Sequence, residues 1–254
     1  RLRDRLNEAS RDDVCLVYNP EFMREGTAIN DVWYKNPIVL AGDSIAALEL
    51  IESIYRQIFP VDHNINYIKT NFETAEMVKY AWNSFSAIRL AYVNELALLS
   101  RKLGADVYTI IKGLALSEDL LPTHCLVPGP GYGGSCLPKD TSGFSKVIEQ
   151  NGLVDSMVHQ AIRSNEKHIN QLIEDICRLL DNPISSKKVA VLGLSFKAHT
   201  NDIRNAPAQS IIGVLLQKGI SLTAYDPKAA DAMKEIYPQV VYCDCPYEAV
   251  READ

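Results

Sequence analysis

The sequence lacks the features that mark several common classes of protein. No apolar run approaches the roughly 18 residues that a membrane-spanning helix needs. The six cysteines include no C-x-x-C pair and no disulfide-like spacing, which argues against a zinc site and favours a reducing compartment. A net charge of −6 argues against nucleic acid as the main partner. Residues 1–5 carry charges of both signs, unlike a signal peptide, so we expect a cytoplasmic protein without a metal.

Residues 1–65 alternate short apolar runs with helix signals. Val14–Tyr18 and Pro37–Gly42 are suited to buried strands. Ser44 is a good N-cap for a helix that Pro60 ends. The zone begins in the middle of an α/β unit and holds no G-x-G-x-x-G loop, so we expect the phosphate-binding start of this domain to be missing.

Residues 66–183 are predicted to be almost wholly helical. Apolar residues recur at helical spacing from Thr74 to Arg101, which predicts one helix of about 30 residues and about 45 Å, closed by Gly104. A helix of that length often joins domains or subunits, so we expect it to form the core of a homodimer. Further helices are expected at 105–117, from Lys139 onwards and at 155–181.

Residues 184–254 return to an alternation of strands and helices. The predicted strands are 187–194, 220–226 and 240–243, and the predicted helices are 208–218 and 229–236. This order is typical of a parallel, doubly wound sheet. The chain stops where another strand should begin, so we expect it to be cut at both ends.

A glycine-rich stretch precedes a cysteine. Residues 129–134 contain four glycines, which let the backbone approach a ligand closely, and Cys136 follows them. Pro138 suits the first turn of a helix, whose dipole together with Lys139 would favour the nucleophilic thiolate. The alternative is a surface loop with a buried structural cysteine.

Two pairs of polar residues are also candidates for chemistry. Lys79 and Asn83 are four apart on the long predicted helix and therefore share a face, which is alternatively an ordinary solvated face. Glu21 and Glu25 follow a predicted strand, where ligands of α/β sheets bind and a carboxylate can act as a general base. They are alternatively ordinary loop charges.

A turn after a later strand is the last candidate. Gly193–Lys197 resembles a phosphate-approaching turn but is not a G-x-G-x-x-G fingerprint. Asp202 and Arg204 follow within a few residues, and an arginine there could pair with a phosphate. The alternative is a plain strand–helix turn.

Together these four segments, in this order and spacing, resemble the UDP-glucose/GDP-mannose dehydrogenase family. Its pattern runs N-P-E-F-L-x-E-G, A-E-x-x-K-Y-x-x-N, G-G-S-C-x-x-K-D and G-x-x-F-K-x-x-T-x-D-x-R, and every part is present with Met23 at the leucine position. The resemblance covers essentially the whole chain. It implies the tail of an NAD-binding Rossmann domain at 1–65, a central helical dimerisation domain at 66–183 and an incomplete Rossmann-like nucleotide-sugar domain at 184–254.

The resemblance implies a four-electron oxidation of the C6 alcohol of a nucleotide sugar to a carboxylate, with two NAD⁺ reduced. Cys136 would attack the aldehyde to form a thiohemiacetal, and a second hydride transfer would leave a thioester. Lys79 and Asn83 would hold the C6 oxygen. Asp140 would order a catalytic water or the lysine, and Glu21 would act as, or position, the base that hydrolyses the thioester.

The resemblance also implies contacts with ligands. Glu25 and Arg204 would lie near the NAD cofactor. The residues expected to line the sugar-nucleotide site are Phe22, Met23, Tyr132, Gly133, Phe196 and Lys197. Without a G-x-G-x-x-G loop, we expect this 254-residue chain to bind NAD poorly and to be inactive by itself.

UDP-glucose is the first substrate that we expect, and GDP-mannose is the alternative. Enzymes of the UDP-glucose branch have an arginine that reaches a neighbouring subunit, and Ser117–Leu126 has no arginine. The pair Leu137-Pro138 is more similar to GDP-mannose enzymes. UDP-N-acetylmannosamine enzymes usually have G-G-H-C instead of the G-G-S-C at 133–136. A non-catalytic alternative is a module that only dimerises and binds a nucleotide sugar. Enzymes of the 6-phosphogluconate and hydroxyacid dehydrogenase classes share the long helix but need no cysteine.

Overall fold

The computed structural model describes residues 2–9, 11, 13–34, 37–59, 65–115, 127–180 and 182–254. It divides into two compact units, Arg1–Trp82 and Asn83–Asp254. The mixed α/β class expected from the sequence is confirmed. Within the described ranges, no helix combines the length and the apolarity required to cross a bilayer. The three domain boundaries expected from the resemblance stay a prediction.

The first unit is built around a three-stranded sheet in the order β1-β2-β3. Its central strand is fully buried, with Val39, Leu40 and Ala41 each 0% exposed. β2 pairs with β3 in parallel and with β1 antiparallel. The elements of this unit are α1 (Leu2–Glu8), β1 (Val17–Tyr18), α2 (Ala28–Tyr34), β2 (Ile38–Gly42), α3 (Ile45–Ile58), β3 (Tyr67–Thr70) and the start of α4 (Phe72–Leu103).

Three features of this unit differ from the sequence prediction. The strand expected at 14–18 is only two residues long and half-buried. It is short because the backbone N–H of Leu16 bonds the carboxylate of Asp43, at 3.2 Å, rather than a ladder partner. Strand β3 was expected to be helical, and it is a strand because its backbone pairs with buried β2 over four residues. Helix α2 was not predicted.

The cap of α3 and the long helix are confirmed. Ser44 is the N-cap of α3, and its hydroxyl accepts from the N–H of Ala47 at 3.4 Å. Pro60, expected to end that helix, lies outside the described residues. Helix α4 has 32 residues, slightly more than predicted. Gly104 follows it with φ of 69°, which suits glycine at a helix end.

The second unit carries a parallel sheet in the order β4-β5-β6, as predicted. Its core joins the sheet to α8 and α9 through Leu194, Ile212, Leu215 and Met233, all 0% exposed. Its elements after α4 are α5 (Val107–Ala115), α6 (Cys136–Gln150), α7 (Met157–Leu179), β4 (Lys188–Leu192), α8 (Pro207–Gln217), β5 (Ser221–Tyr225), α9 (Ala230–Ile236), β6 (Val241–Tyr242) and α10 (Pro246–Ala249).

Helix α6 begins at Cys136, three residues before the predicted start at Lys139. Proline at the third position is compatible with this start, because the first-turn N–H groups have no helical partner. The Thr141 hydroxyl donates to the carbonyl of Leu137 at 2.7 Å and so closes the first turn. Ser117–Leu126, the segment that lacks the arginine of the UDP-glucose branch, lies outside the described residues, as does the predicted end of α5.

Candidate active site

An ion pair in the first unit joins two of the predicted catalytic residues. Lys79 Nζ lies 3.1 Å from Oε1 of Glu21 and also donates to the backbone carbonyl of Glu21. The other carboxylate oxygen of Glu21 accepts from the N–H of Met23 at 2.8 Å. The Lys79 side chain is 19% exposed and that of Glu21 is 52% exposed. The ammonium group of Lys79 is thus fixed by the loop that follows β1.

The neighbours of this ion pair differ in burial. Phe22 is only 4% exposed and packs in a small core with Val39. Its ring lies 5.2 Å from that of Trp82, and Lys79 Nζ lies 5.4 Å from the ring centroid of Phe22. Met23 and Glu25 are exposed. Of the substrate contacts expected in this loop, Met23 therefore presents its side chain to solvent, while Phe22 supports the loop from beneath.

A buried carboxylate anchors the same loop. Asp31 on α2 is 1% exposed and accepts from Arg24 Nε at 3.0 Å, from the backbone N–H of Arg24 at 2.9 Å and from the hydroxyl of Thr27 at 3.0 Å. The guanidinium of Arg24 lowers the pKa of Asp31 to about 2. Asp31 therefore stays ionised at neutral pH and holds the loop that carries Glu21.

In the second unit, Asn83 and Asp140 form a buried pair. Asn83 Nδ2 on α4 donates to Oδ2 of Asp140 on α6, and the two residues are 8% and 5% exposed. The other oxygen of Asp140 pairs with Lys139 Nζ. Lys139, expected to favour the thiolate of Cys136, therefore directs its charge to Asp140.

Cys136 is exposed at the first residue of α6. The Oγ of Ser135 lies 3.6 Å from its Sγ. The start of a helix is the positive end of the helix dipole, which stabilises negative charge that develops beside it. The alternative of a buried structural cysteine is wrong for this residue.

The two glycines before Cys136 allow a close approach to the turn before α8. A Cβ on Gly133 would lie 2.1 Å from the carbonyl oxygen of Asn205, and one on Gly134 would lie 2.8 Å from the ring of Phe196. Gly134 also donates its N–H to the carbonyl of Arg204 at 2.9 Å and accepts from Nδ2 of Asn205 at 3.1 Å. Glycine at 133 and 134 thus docks the loop onto the turn.

Tyr132 and Lys197, both expected to line the sugar site, differ from each other in burial. Tyr132 is 7% exposed, and burial raises the pKa of its hydroxyl. Lys197 Nζ lies 5.3 Å from the ring centroid of its neighbour Phe196, and both side chains are half-buried. The aromatic ring of Phe196 therefore contacts both Lys197 and the loop glycine at 134.

Arg204 is held by a carboxylate. Its Nε lies 3.0 Å from both oxygens of Asp202, and a terminal nitrogen lies 2.7 Å from one of them. This pairing lowers the pKa of Asp202, whose side chain is 7% exposed, whereas that of Arg204 is 65% exposed. A guanidinium in a fixed orientation at the surface suits a phosphate ligand.

A cavity of about 630 Å³ lies beside the loop, between α6, α7 and the start of α8. Helix α6 contributes Pro138, Thr141 and Ser142 to its wall, and Tyr132 lines it as well. Cys136 and Asp140 do not line it. The cavity therefore borders the back of the helix that carries the candidate nucleophile.

Sequence reasoning missed Asn205 and Asn165, which both bind the backbone of the loop. Asn205 donates to Gly134, and Asn165 makes two hydrogen bonds with Tyr132. A signal for Asn165 was present, since it is a polar residue three after Ile162 and four before Ile169, on the apolar face of an amphipathic helix. Nothing in the local pattern distinguishes Asn205.

Comparisons with known proteins agree with the motifs. The UDP-glucose/GDP-mannose dehydrogenase family matches with its NAD binding domain at residues 1–59, its central domain at 73–167 and its UDP binding domain at 190–254. The first of these matches confirms NAD as the expected cofactor of the family, and the last supports a nucleotide-sugar ligand.

Individual relatives show the same similarity. UDP-glucose 6-dehydrogenase of Rickettsia bellii is 35% identical over 93% of this chain and 54% of its own length, and TuaD of Bacillus subtilis, with the same activity name, is 36% identical over 94% and 50%. The solved UDP-glucose dehydrogenase of Pyrobaculum islandicum matches with a TM-score of 0.83 at 30% identity, over 93% of this chain and 53% of that one. This chain thus spans about half the length of the curated relatives it matches. With three domain models of one family matching in order, the chain belongs to the UDP-glucose/GDP-mannose dehydrogenase family.

Proposed function

We propose that this chain is part of an NAD-dependent nucleotide-sugar 6-dehydrogenase that oxidises UDP-glucose to UDP-glucuronate. The observation that carries the proposal is the exposed thiol of Cys136 at the start of α6, behind a loop docked by its glycines. The names of the Rickettsia and Bacillus relatives support UDP-glucose as the substrate. GDP-mannose is the alternative substrate, on the sequence around Leu137-Pro138.

The proposed mechanism keeps the sugar covalently bound between two oxidations. The C6 alcohol first loses a hydride and a proton to become an aldehyde. The thiolate of Cys136 adds to the aldehyde carbon, whose oxygen takes up a proton to form a thiohemiacetal, and loss of a second hydride together with that proton leaves a thioester. Water then cleaves the C–S bond, releasing the carboxylate and the thiol. Bound NAD, two equivalents per sugar, supplies the acceptor for both hydrides.

The side chains have distinct proposed roles. Lys79 and Asn83 hold the C6 oxygen and stabilise the negative charge that develops there. The carboxylate of Glu21 acts as, or positions, the base that activates the hydrolytic water. Asp140 orders a catalytic water or the lysine. Its buried hydrogen bond with Asn83 also fixes the amide of Asn83.

Two residues fit the expected cofactor. The guanidinium of Arg204 is oriented by Asp202 and exposed, which suits the NAD pyrophosphate. The exposed carboxylate of Glu25 is of the type that binds ribose hydroxyls.

Helix α4 supports the proposal of a homodimer. Phe85, Tyr92 and Leu99 recur every seven residues and are 54%, 50% and 52% exposed. Apolar side chains at this spacing lie on one helix face and suit a second copy of the same helix. Tyr92→Glu should therefore shift the protein to a monomer in analytical ultracentrifugation, whereas Tyr108→Glu, at an exposed position on α5, should not.

The central experiment is a substrate panel on the full-length protein, read by NADH formation. UDP-glucose should be oxidised with two NADH per sugar, and GDP-mannose and UDP-N-acetylated sugars much more slowly. Cys136→Ser should abolish the four-electron turnover while leaving nucleotide-sugar binding and dimerisation intact. Cys245→Ser, at another exposed cysteine, is the control and should keep full activity.

Retained turnover in Cys136→Ser would overturn the covalent mechanism. Binding of nucleotide sugar without turnover in the wild-type protein would instead favour the non-catalytic alternative, a dimerisation and binding module.

A further inference from the structure

The start of the loop before Cys136 is held by side chains of two helices. The backbone N–H of Gly129 donates to Oδ1 of Asn94 on α4 at 2.9 Å, and the Gly129 carbonyl lies 2.7 Å from Nε2 of His168 on α7. A carbonyl only accepts, so Nε2 carries the proton in this contact. Asn94 and His168 are 3% and 9% exposed. The N–H and the carbonyl of the exposed Gly129 are thus each held by a buried side chain.

The middle of the loop is held by one amide. Asn165 Oδ1 accepts from the N–H of Tyr132 at 2.8 Å, and Asn165 Nδ2 donates to the carbonyl of Tyr132 at 3.0 Å. A side-chain amide that binds both backbone groups of one residue takes the place of a neighbouring β-strand. Asn165 is 8% exposed and Tyr132 is 7% exposed, so neither backbone group of Tyr132 has water as an easy substitute partner.

Tyr132, whose backbone Asn165 binds, lies four residues before Cys136. Between them, Gly133 and Gly134 dock against the turn at 204–205. The short segment between Tyr132 and the start of α6 is therefore held by Asn165 at Tyr132 and by the turn at the two glycines. If Tyr132 changes position, residues 133–136 must move with it or lose their contacts with the turn. Either change alters the direction of the Cys136 thiol.

We propose that Asn165 is a positioning residue for Cys136, holding the loop so that the thiol meets the C6 carbon in the geometry needed for attack. This role rests on the function proposed above. Reactions of bound groups lose rate steeply when the reacting atoms are misplaced by about 1 Å. Loss of Asn165 should therefore act on the rate of the chemistry more than on nucleotide-sugar binding.

The test compares Asn165→Leu, which removes both hydrogen bonds, with Asn165→Asp, which keeps the acceptor for the Tyr132 N–H. Asn170→Leu is the matched control, since Asn170 is exposed on the same helix. In the full-length protein, kcat should fall at least tenfold in Asn165→Leu and less in Asn165→Asp, with KM for the nucleotide sugar changed less than threefold. Asn170→Leu should leave kcat unchanged. Equal kcat in Asn165→Leu and wild type would overturn the proposal.

Two measurements on this chain do not need turnover. Hydrogen exchange should show the Tyr132 amide strongly protected in the wild type, and an unprotected amide would overturn the proposal even if the variants fail to fold. The rate of alkylation by iodoacetamide should change at least threefold at Cys136 in Asn165→Leu but stay constant at Cys245, which is outside the loop. An unchanged Cys136 rate would contradict the positioning role.

These measurements separate the two proposals. If the wild-type protein oxidises no nucleotide sugar but the Tyr132 amide is protected and Cys136 reactivity depends on Asn165, the function fails and the positioning role stands. If turnover is present and insensitive to Asn165, the function stands and the positioning role fails.

Discussion

Asn83 on α4 donates a hydrogen bond to the carboxylate of Asp140 on α6, and both residues are almost fully buried. The pair ties the long helix to the helix that begins at Cys136. Asn83→Ala would leave a buried carboxylate oxygen without its donor, which costs about 1–3 kcal/mol. We therefore expect the free energy of unfolding, measured in urea, to fall by about 1–3 kcal/mol. Turnover in the full-length protein should fall as well. Lys102→Ala, exposed near the end of α4, should change neither.

The Arg24–Asp31 pair predicts a pH-dependent stability. The pKa of Asp31 falls from 3.8 to about 2 on folding, so the ionised carboxylate stabilises the protein above pH 4, and this contribution is lost as the pH falls towards 2. The full contribution is about 2 kcal/mol. In thermal melts, the melting temperature of the wild type should exceed that of Asp31→Asn, and this difference should shrink as the pH falls from 4 to 2. An advantage that stays constant across that window would contradict the assignment.

For this prediction Asp13→Asn is the matched control. Asp13 pairs with Arg11 at the surface, where its side chain is 69% exposed. Exposed pairs contribute little to stability, so Asp13→Asn should follow the wild-type curve at every pH.

Gly133→Ala should damage the site by steric conflict. The new Cβ would meet the carbonyl oxygen of Asn205 at 2.1 Å, and that atom belongs to backbone that cannot rotate away. We expect at least a hundredfold loss of turnover in the full-length protein and a lower melting temperature. Gly113→Ala on α5, where no atom lies within 4 Å of the added Cβ, should be neutral or slightly stabilising. Normal turnover in Gly133→Ala would show that the loop moves freely.

Glu21→Gln tests the hydrolytic step. The amide keeps the size of the side chain but cannot act as a base, so the thioester on Cys136 should accumulate during turnover with UDP-glucose. Intact-mass measurement should then show an adduct of nucleotide-sugar mass, mapped to the peptide with Cys136. Glu76→Gln, exposed on α4, should show none. The absence of any adduct in Glu21→Gln at reduced turnover would assign the loss to an earlier step.

Much of the fold was predictable because its signals are local. The 32-residue helix α4, the cap at Ser44 and the parallel strands of the second unit follow from apolar periodicity and residue type over short windows. Strand β3 was missed although Tyr67, Ile68 and Thr70 are strand-favouring residues, because the run is only four residues long and leads directly into the long helix α4. Pairing with buried β2 makes it a strand. Helix α6 begins three residues before the predicted start, although Pro138 had already indicated the first turn of a helix.

In the candidate site, too, some features follow from the sequence and others only from the tertiary structure. The sequence by itself determined which residues are able to act, since a cysteine after a glycine loop and a lysine and asparagine four apart are properties of type and spacing. Only the tertiary structure decided how they are held. Tyr132 meets Asn165 across 33 residues and Gly134 meets Asn205 across 71. Such contacts depend on how helices and turns pack, and no local pattern specifies which distant backbone group a buried amide will bind.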